Sequence, residues 1–404
     1  MSKSGLLYCY VNGYSDAQMT TAVGSKYELF EKIHRRWLKW TTPILGTIPA
    51  KGYWASSWEY YQNYCGQLPG LEYHVCYPGY EVTYRLPHTI HTDIHPCFSQ
   101  RAHRQIPETY WLTVPEGTIL RAYRSMGSVV AHDGRVIHDS SRQCGLPVAE
   151  NEALHLKFPT TRAVDHTIAV MTDGGGGINY WHWLFDILPK FYLMQKEAIW
   201  PKIDYFLVDK PLPQLQITLD ILGISKEQIM YTKFSHSLKC PLVVLPNYIR
   251  EKPRWILDFL RSSFLPRQNL DVSSNKKIYI SRRKAKRRKI ANEDQVLDYL
   301  TRRGYTAYCL EDLSFSEQIS LFRNAKYVIG LHGAGLTNIA WCEPGGRVLE
   351  IFPDVPRRDC YWILANQVGL DYYYWYPTSQ NGSYDADIWI DTRAFAQVVD
   401  HFES

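Results

Sequence analysis

The residues best placed to do chemistry in this chain lie within 326–353, KYVIGLHGAGLTNIAWCEPGGRVLEIFP. Tyr327–Leu331 is a short apolar, β-branched run. His332-Gly333-Ala334-Gly335 follows at once, and Leu336–Trp341 then reads as the first turns of a helix. A strand, a small-residue turn and a helix together aim unpaired backbone N–H groups and a helix dipole at an anion. The glycines let that backbone approach a phosphate closely, and His332 adds a donor at the turn. Past Pro344-Gly345-Gly346 a second strand, Arg347–Phe352, carries a single acid, Glu350. A carboxylate so placed is expected to accept two hydrogen bonds from a ribose diol. Small residues after a strand also serve plain helix–sheet packing, so the turn needs its neighbours to be read as a nucleotide-diphosphate site.

One neighbour is Asp173–Asp186, DGGGGINYWHWLFD. Four glycines between a strand and a helix leave a loop free of side chains, open to a phosphate or to a bulky acceptor. The helix then sets Asn179, His182 and Asp186 at i, i+3 and i+7, on one face. These polar residues stand amid Trp181, Trp183, Leu184 and Phe185, so they are expected to point away from the buried stripe into a cleft. A histidine or carboxylate there can take a proton from an attacking hydroxyl, and His182 and Asp186 remain alternatives for that base. The competing structural reading has His182 at the helix start and Asp186 paired with Lys190.

The other neighbour is basic. Lys276–Lys289, KKIYISRRKAKRRK, holds most of the excess behind a formal net charge of +5. Its apolar centre, Ile278-Tyr279-Ile280, predicts a strand that delivers Arg282, with Arg288 six residues on and Asn292-Glu293 opening the next helix. Arginine forks match phosphate oxygens and can neutralise a diphosphate leaving group without a metal. Lys284, Lys286 and Arg287 read as surface. A nucleic-acid patch is the rival for this run, and it predicts salt-sensitive binding to generic DNA or RNA; no nucleic-acid partner is expected. His91-Thr92-Asp93-Ile94-His95 and Asp385-Ala386-Asp387 imitate metal-binding patterns. The first lacks a further ligand at recognised spacing and the second reads as a turn, so no metal site and no cofactor are assigned.

These groups need elements to hold them. With 404 residues, two or three packed units are expected. The composition, 45% hydrophobic and 21% charged, is that of a globular protein rather than a disordered chain. Nine scattered cysteines without CxxC spacing give no disulfide framework. No 18-residue apolar run and no signal-like N-terminal core occur, so a cytoplasmic protein with at most peripheral membrane contact is expected. Residues 1–164 read as a β-rich extension, with strands near Tyr110–Val114 and Ile119–Tyr123, a hairpin around Asp133-Gly134 and a helix at Phe30–Trp40. From 165 the pattern alternates strand and helix. Thr167–Met171, the long helix Tyr180–Glu197, Tyr205–Val208, Gln214–Leu222, Leu242–Leu245 and Arg254–Phe264 form a first Rossmann-like block over 165–265. A polar linker, Pro266–Lys277, leads to a second block over 266–378 with Glu293–Arg303, Tyr305–Cys309 and Ser316–Asn324. A final strand and helix, 379–404, are expected to return to the first block. Two successive βαβ blocks imply an α/β protein with two parallel-sheet domains facing a cleft.

Three ordered segments resemble glycosyltransferase family 61, whose members include bacterial capsular-polysaccharide enzymes, plant β-1,2-xylosyltransferases and animal O-linked N-acetylglucosamine transferases. They are Asn179 through Pro189, Tyr279-Ile280-Ser281-Arg282 through Asn292-Glu293, and Gly330 through Pro353. The resemblance covers roughly residues 115–400. It implies a GT-B architecture, a nucleotide-sugar donor held mainly by the C-terminal domain, and inversion at the anomeric carbon. Carried over by motif, Arg282 and Arg288 would contact the diphosphate. His332, Gly333, Ala334 and Gly335 would line its phosphate side, with Thr337 and Asn338 in the first helical turn and Glu350 at the ribose. The expected function is transfer of a sugar, from a UDP-sugar or similar donor, to a hydroxyl of a glycan or glycoconjugate. The alternative is a non-catalytic nucleotide- or carbohydrate-binding protein with a degenerate site.

Overall fold

The computed structural model describes residues 46–121, 127–140, 151–155, 157–158, 160–172, 179–231, 236–265, 276–377 and 386–404. The Phe30–Trp40 helix, the Gly174–Gly177 loop, the linker over 266–275 and Asp385 lie outside these residues. The described chain divides into two compact units. One runs up to Pro78 and resumes over Glu108–Arg250; the other is Gly79–Pro107 with Glu251–Ser404.

The first unit is built on a six-stranded sheet of β1 (Tyr73–Tyr77), β2 (Thr109–Pro115), β3 (Thr167–Val170), β4 (Tyr205–Val208), β5 (Ile229–Tyr231) and β6 (Leu242–Pro246), in the order β5-β4-β3-β6-β2-β1. The strands β3 to β6 are mutually parallel, while β2 joins β6 antiparallel and β1 joins β2 antiparallel. Every residue of β2, TYWLTVP, is buried, which is how an inner strand covered on both faces reads. The expected separation of 1–164 from 165–265 is therefore corrected. The apolar run at 109–115 caps what would otherwise be the open edge of β6. A second six-stranded sheet, including Thr118–Arg121, Ser128–Val130 and Arg135–Ile137, packs on the first through Ile119, Val129, Ile137, Ile168 and Val243. The Asp133-Gly134 turn is present, with Gly134 at φ 81°.

After β3 comes α1, residues 180–195, which is not a uniform helix. Tyr180–His182 and Leu188–Gln195 are α-helical, and Trp183–Ile187 between them is wound i→i+5, with Leu188 N–H donating to the Trp183 carbonyl. Pro189 explains this. It has no N–H for the carbonyl four residues back and its ring would strike it, so the preceding turn widens.

The second unit is a five-stranded, wholly parallel sheet. Its strands are β7 (Lys276–Ile280), β8 (Tyr305–Tyr308), β9 (Ala325–Leu331), β10 (Arg347–Ile351) and β11 (Asp371–Trp375), in the order β8-β7-β9-β10-β11. The helices α2 (Arg254–Phe264), α3 (Glu293–Arg302), α4 (Phe315–Arg323), α5 (Cys360–Val368) and α6 (Thr392–Glu403) complete it. The chain leaves β7 toward β8 and returns on the other side to β9. The sheet order thus reverses between β7 and β9, and such a point opens a crevice at the strands' C-terminal ends.

Three expectations change. The helix α6 does not return to the 165–265 block. Its Phe395, Val398, Val399 and Phe402 pack with Tyr279, Ile329 and Leu349, and Glu403 pairs with Lys277 and Arg303. Residues from the N-terminal region also belong to this second unit, for His88 bridges to Tyr373 of β11. The segment after His332 is a 3-10 helix, Ala334–Trp341, rather than an α-helix. Neither α5 nor β11 was foreseen. Among the described residues no helix is long and apolar enough to cross a membrane.

Candidate active site

At the crevice of the second unit, Ser281 and Arg282 follow β7 while His332 and Gly333 follow β9. Arg282 Nε donates to the Arg288 carbonyl at 2.9 Å and Nη2 to the Arg287 carbonyl at 3.0 Å. Arg288 is held at φ 56°, a left-handed conformation that costs a non-glycine residue about 1–2 kcal/mol. That bend turns its carbonyl back toward Arg282. Burial, with the charge of Arg288 beside it, pushes the Arg282 guanidinium below its ordinary pKa. Two like charges gathered at a strand-end crevice are in place for an anion.

Gly333 has a specific reason to be glycine. A Cβ there would stand 2.0 Å from Arg282 Nη1, so the guanidinium lies directly on its backbone. Gly335 serves packing, since its Cβ would meet Leu310 at 3.0 Å and Ile280 at 3.3 Å. Ala334 lies half-buried between the two. The far end of this turn is anchored by Arg261 of α2, whose Nη1 donates to the carbonyls of Ala340 at 2.7 Å and Cys342 at 2.8 Å. A cation on the last carbonyls of a helix complements its dipole.

His332 is buried, with its ring stacked on Phe352 at 5.2 Å and tilted against Tyr361. Its Nδ1 bonds one carboxylate oxygen of Glu350, and the Tyr372 hydroxyl donates to the other. Burial and the Glu350 charge raise the Tyr372 hydroxyl well above its ordinary pKa, which keeps it a donor. Glu350, expected at the ribose, is 1% exposed, and its two oxygens are engaged by His332 and Tyr372. Thr337 and Asn338 are both fully buried. The Asn338 amide bonds Gln318 and the Gly335 carbonyl, and its oxygen accepts from Trp341 Nε1, so it packs the 3-10 helix. The Thr337 hydroxyl is buried without a hydrogen-bond partner among the described residues.

The remaining basic residues are largely tied to the surface. Arg283 pairs with Asp294 at 2.5 Å and Lys284 with Asp312, while Lys286 and Arg287 are exposed. Asp387 accepts from the Lys289 N–H at 2.7 Å, a contact 98 residues apart in sequence that ties the C-terminal segment to this loop. His95 caps a short helix through Cys97 N–H, and His91 stacks on Tyr376 at 4.0 Å.

The first unit holds the second cluster. Asn179 is the N-cap of α1, its side-chain oxygen accepting from Trp181 N–H at 2.9 Å. His182 Nδ1 lies 2.5 Å from Asp186 Oδ2. The His182 side chain is 32% exposed and that of Asp186 only 2%, which corrects the expectation that both point into a cleft. A carboxylate accepts only, so it fixes the proton on Nδ1 and leaves Nε2 with the lone pair. Lys190 is also buried, and its Nζ donates to the Thr172 carbonyl at 3.2 Å, just past β3.

Tyr372, Arg261 and Tyr361 escape sequence reasoning. Tyr372 stands on a strand that no alternation singled out, and Arg261 is one basic residue on an amphipathic helix.

Similarity to known proteins reaches His182 and Asp186 in the first unit and Arg282 and His332 in the second, and stops short of Glu350 and Tyr372. The family model described as Glycosyltransferase 61 matches residues 180–349, from the start of α1 to β10. An EGF domain-specific O-linked N-acetylglucosamine transferase of Drosophila melanogaster is 31% identical over 113 residues, 27% of this chain and 20% of that protein. A xylan glycosyltransferase of Arabidopsis thaliana is 28% identical over 155 residues, 32% of this chain and 31% of that protein. A beta-1,2-xylosyltransferase of Oryza sativa subsp. japonica is 34% identical over 61 residues, 15% of this chain and 11% of that protein. The matched segments span between a tenth and a third of these relatives' lengths.

Proposed function

For this chain, whose residues 180–349 match the Glycosyltransferase 61 family model, we propose transfer of a sugar from a nucleotide-diphosphate donor, UDP-linked in the first instance, to a hydroxyl of a glycan or glycoconjugate. The observation that carries the reading is the crevice between β7 and β9, where Arg282 rests on Gly333 with Arg288 beside it. The reading includes a GT-B arrangement in which the second unit holds the donor and the first supplies the base.

The acceptor hydroxyl gives its proton to His182 Nε2 and its oxygen attacks the anomeric carbon from the side opposite the leaving group. The bond from that carbon to the diphosphate oxygen breaks, the electron pair leaves with the diphosphate, and configuration inverts. Arg282, Arg288 and the N–H groups opening the 3-10 helix meet the developing charge. Asp186 holds the His182 tautomer and stabilises the imidazolium as it forms. Glu350 and Tyr372 hold His332 against the phosphate side. Each of these steps uses protein groups alone.

Donor hydrolysis and transfer, measured with and without acceptor across a panel of nucleotide sugars, test this directly. Arg282→Ala is expected to weaken donor binding by at least about tenfold, since hydrogen bonds to charged groups contribute about 1.5–3 kcal/mol each. Full activity in that variant sinks the assignment. Nucleotide binding without turnover of any donor would favour the non-catalytic alternative.

A further inference from the structure

Away from the two clusters above, three chemically different ligands converge in the first unit. His74 and Cys76 lie on β1, and Glu197 follows the end of α1. One ligand atom from each residue lies within 4.8 Å of the others, and His74 Nε2 is 3.1 Å from Glu197 Oε2. We infer that His74 Nε2, Cys76 Sγ and the Glu197 carboxylate form a binding site for a borderline divalent transition metal, Zn²⁺ being the natural occupant. This goes beyond the proposed transfer reaction and does not rest on it.

The donor set points to the metal. Imidazole and thiolate together select late first-row ions over Mg²⁺ or Ca²⁺, and three protein ligands leave a position for water or a substrate oxygen. The spacing fits as well. With metal–ligand bonds of about 2.0–2.3 Å, the edges of a tetrahedral site are about 3.3–3.8 Å, so ligand atoms at most 4.8 Å apart need to draw in by only about 1–1.5 Å.

The scaffold favours the geometry. His74 lies opposite Trp111 in the β1–β2 register and stacks on its buried indole at 5.2 Å and 23°, which fixes the imidazole plane. The ladder register shifts between Val75 and Tyr77, so Cys76 sits at a bulge, a feature that re-aims a side chain. Glu197 is placed just past the C-terminal end of a helix, where the dipole disfavours a carboxylate and a cation relieves it. An ion pair between His74 and Glu197 supplies only part of that relief, because the His74 side chain is half exposed and such pairs contribute about 0–1 kcal/mol. His74 and Glu197 also line a cavity of about 370 Å³ shared with Tyr61, Tyr73, Trp111 and Lys202, from which the fourth ligand would come.

The test uses the full chain, stripped with chelator and titrated with Co²⁺. The expected result is a single tightly held Co²⁺ per chain, with a thiolate-to-cobalt charge-transfer band and intense tetrahedral d–d absorption, both abolished when Zn²⁺ is added. Cys76→Ser should lose the charge-transfer band, and His74→Ala, at a half-exposed position where folding is little affected, should lose the stoichiometric binding. A wild-type chain without the thiolate band overturns the inference and leaves an ion pair beside a thiol. So does a band that survives in both variants, because another cysteine would then be the ligand.

Discussion

Tyr372→Phe removes one oxygen from the second unit and nothing else. In the wild type the Tyr372 hydroxyl and His332 Nδ1 each engage one oxygen of Glu350, which is 1% exposed. Without the hydroxyl, one carboxylate oxygen is left in a site that water barely reaches. A hydrogen bond to a charged group contributes about 1.5–3 kcal/mol, and a surface change away from such features stays within about 0.5 kcal/mol. The first range corresponds to about a 10- to 150-fold rise in the unfolding constant at 25 °C. Urea unfolding followed by tryptophan fluorescence reads this directly, and competition binding of UDP and 2′-deoxy-UDP reads its functional consequence. If Glu350 orients His332, stability falls by that amount and both nucleotides weaken together, because the phosphate side is disturbed and the ribose is not. If Glu350 instead meets the ribose, stability stays within about 0.5 kcal/mol and only the preference for UDP over its 2′-deoxy form is lost. That second pattern refutes the orienting role of Glu350.

Gly333→Ala should mimic the loss of Arg282 without touching that residue, since the new methyl group would stand 2.0 Å from Nη1 and must displace it; nucleotide titration should show weakened binding while the circular dichroism spectrum is retained. His182→Ala should lower kcat by about 10²- to 10⁴-fold with donor affinity intact, as expected when a general base is removed. Asp186→Asn should approach that loss by freeing the imidazole tautomer, and retention of full kcat in either variant would remove the pair from the proposed mechanism.

Much of this was legible in the sequence where local pattern and chemistry coincide. The runs at 278–280 and 327–331 are apolar and lead within two residues to Arg282 and His332, so strand, turn and anion-binding potential share one short window. The i, i+4 spacing of His182 and Asp186 put them within reach of each other, and they remain in contact across the widened turn. What the spacing left open was which of the pair is buried. Pro189 widens the turn between them and the surrounding packing encloses Asp186, leaving His182 as the exposed member.

Glu350 shows the limit most plainly. A lone acid near a strand's end looks the same in sequence whether it faces solvent or the interior, and only the neighbouring strand β11, bringing Tyr372 beside it, decides that it faces inward. The reversal of strand order between β7 and β9 is likewise set by pairing between segments far apart in the chain. So is the meeting of His74 and Cys76 with Glu197. Residue types and spacing determine which groups can do chemistry. Which of them reach one another depends on burial and long-range pairing, whose energies no local window contains.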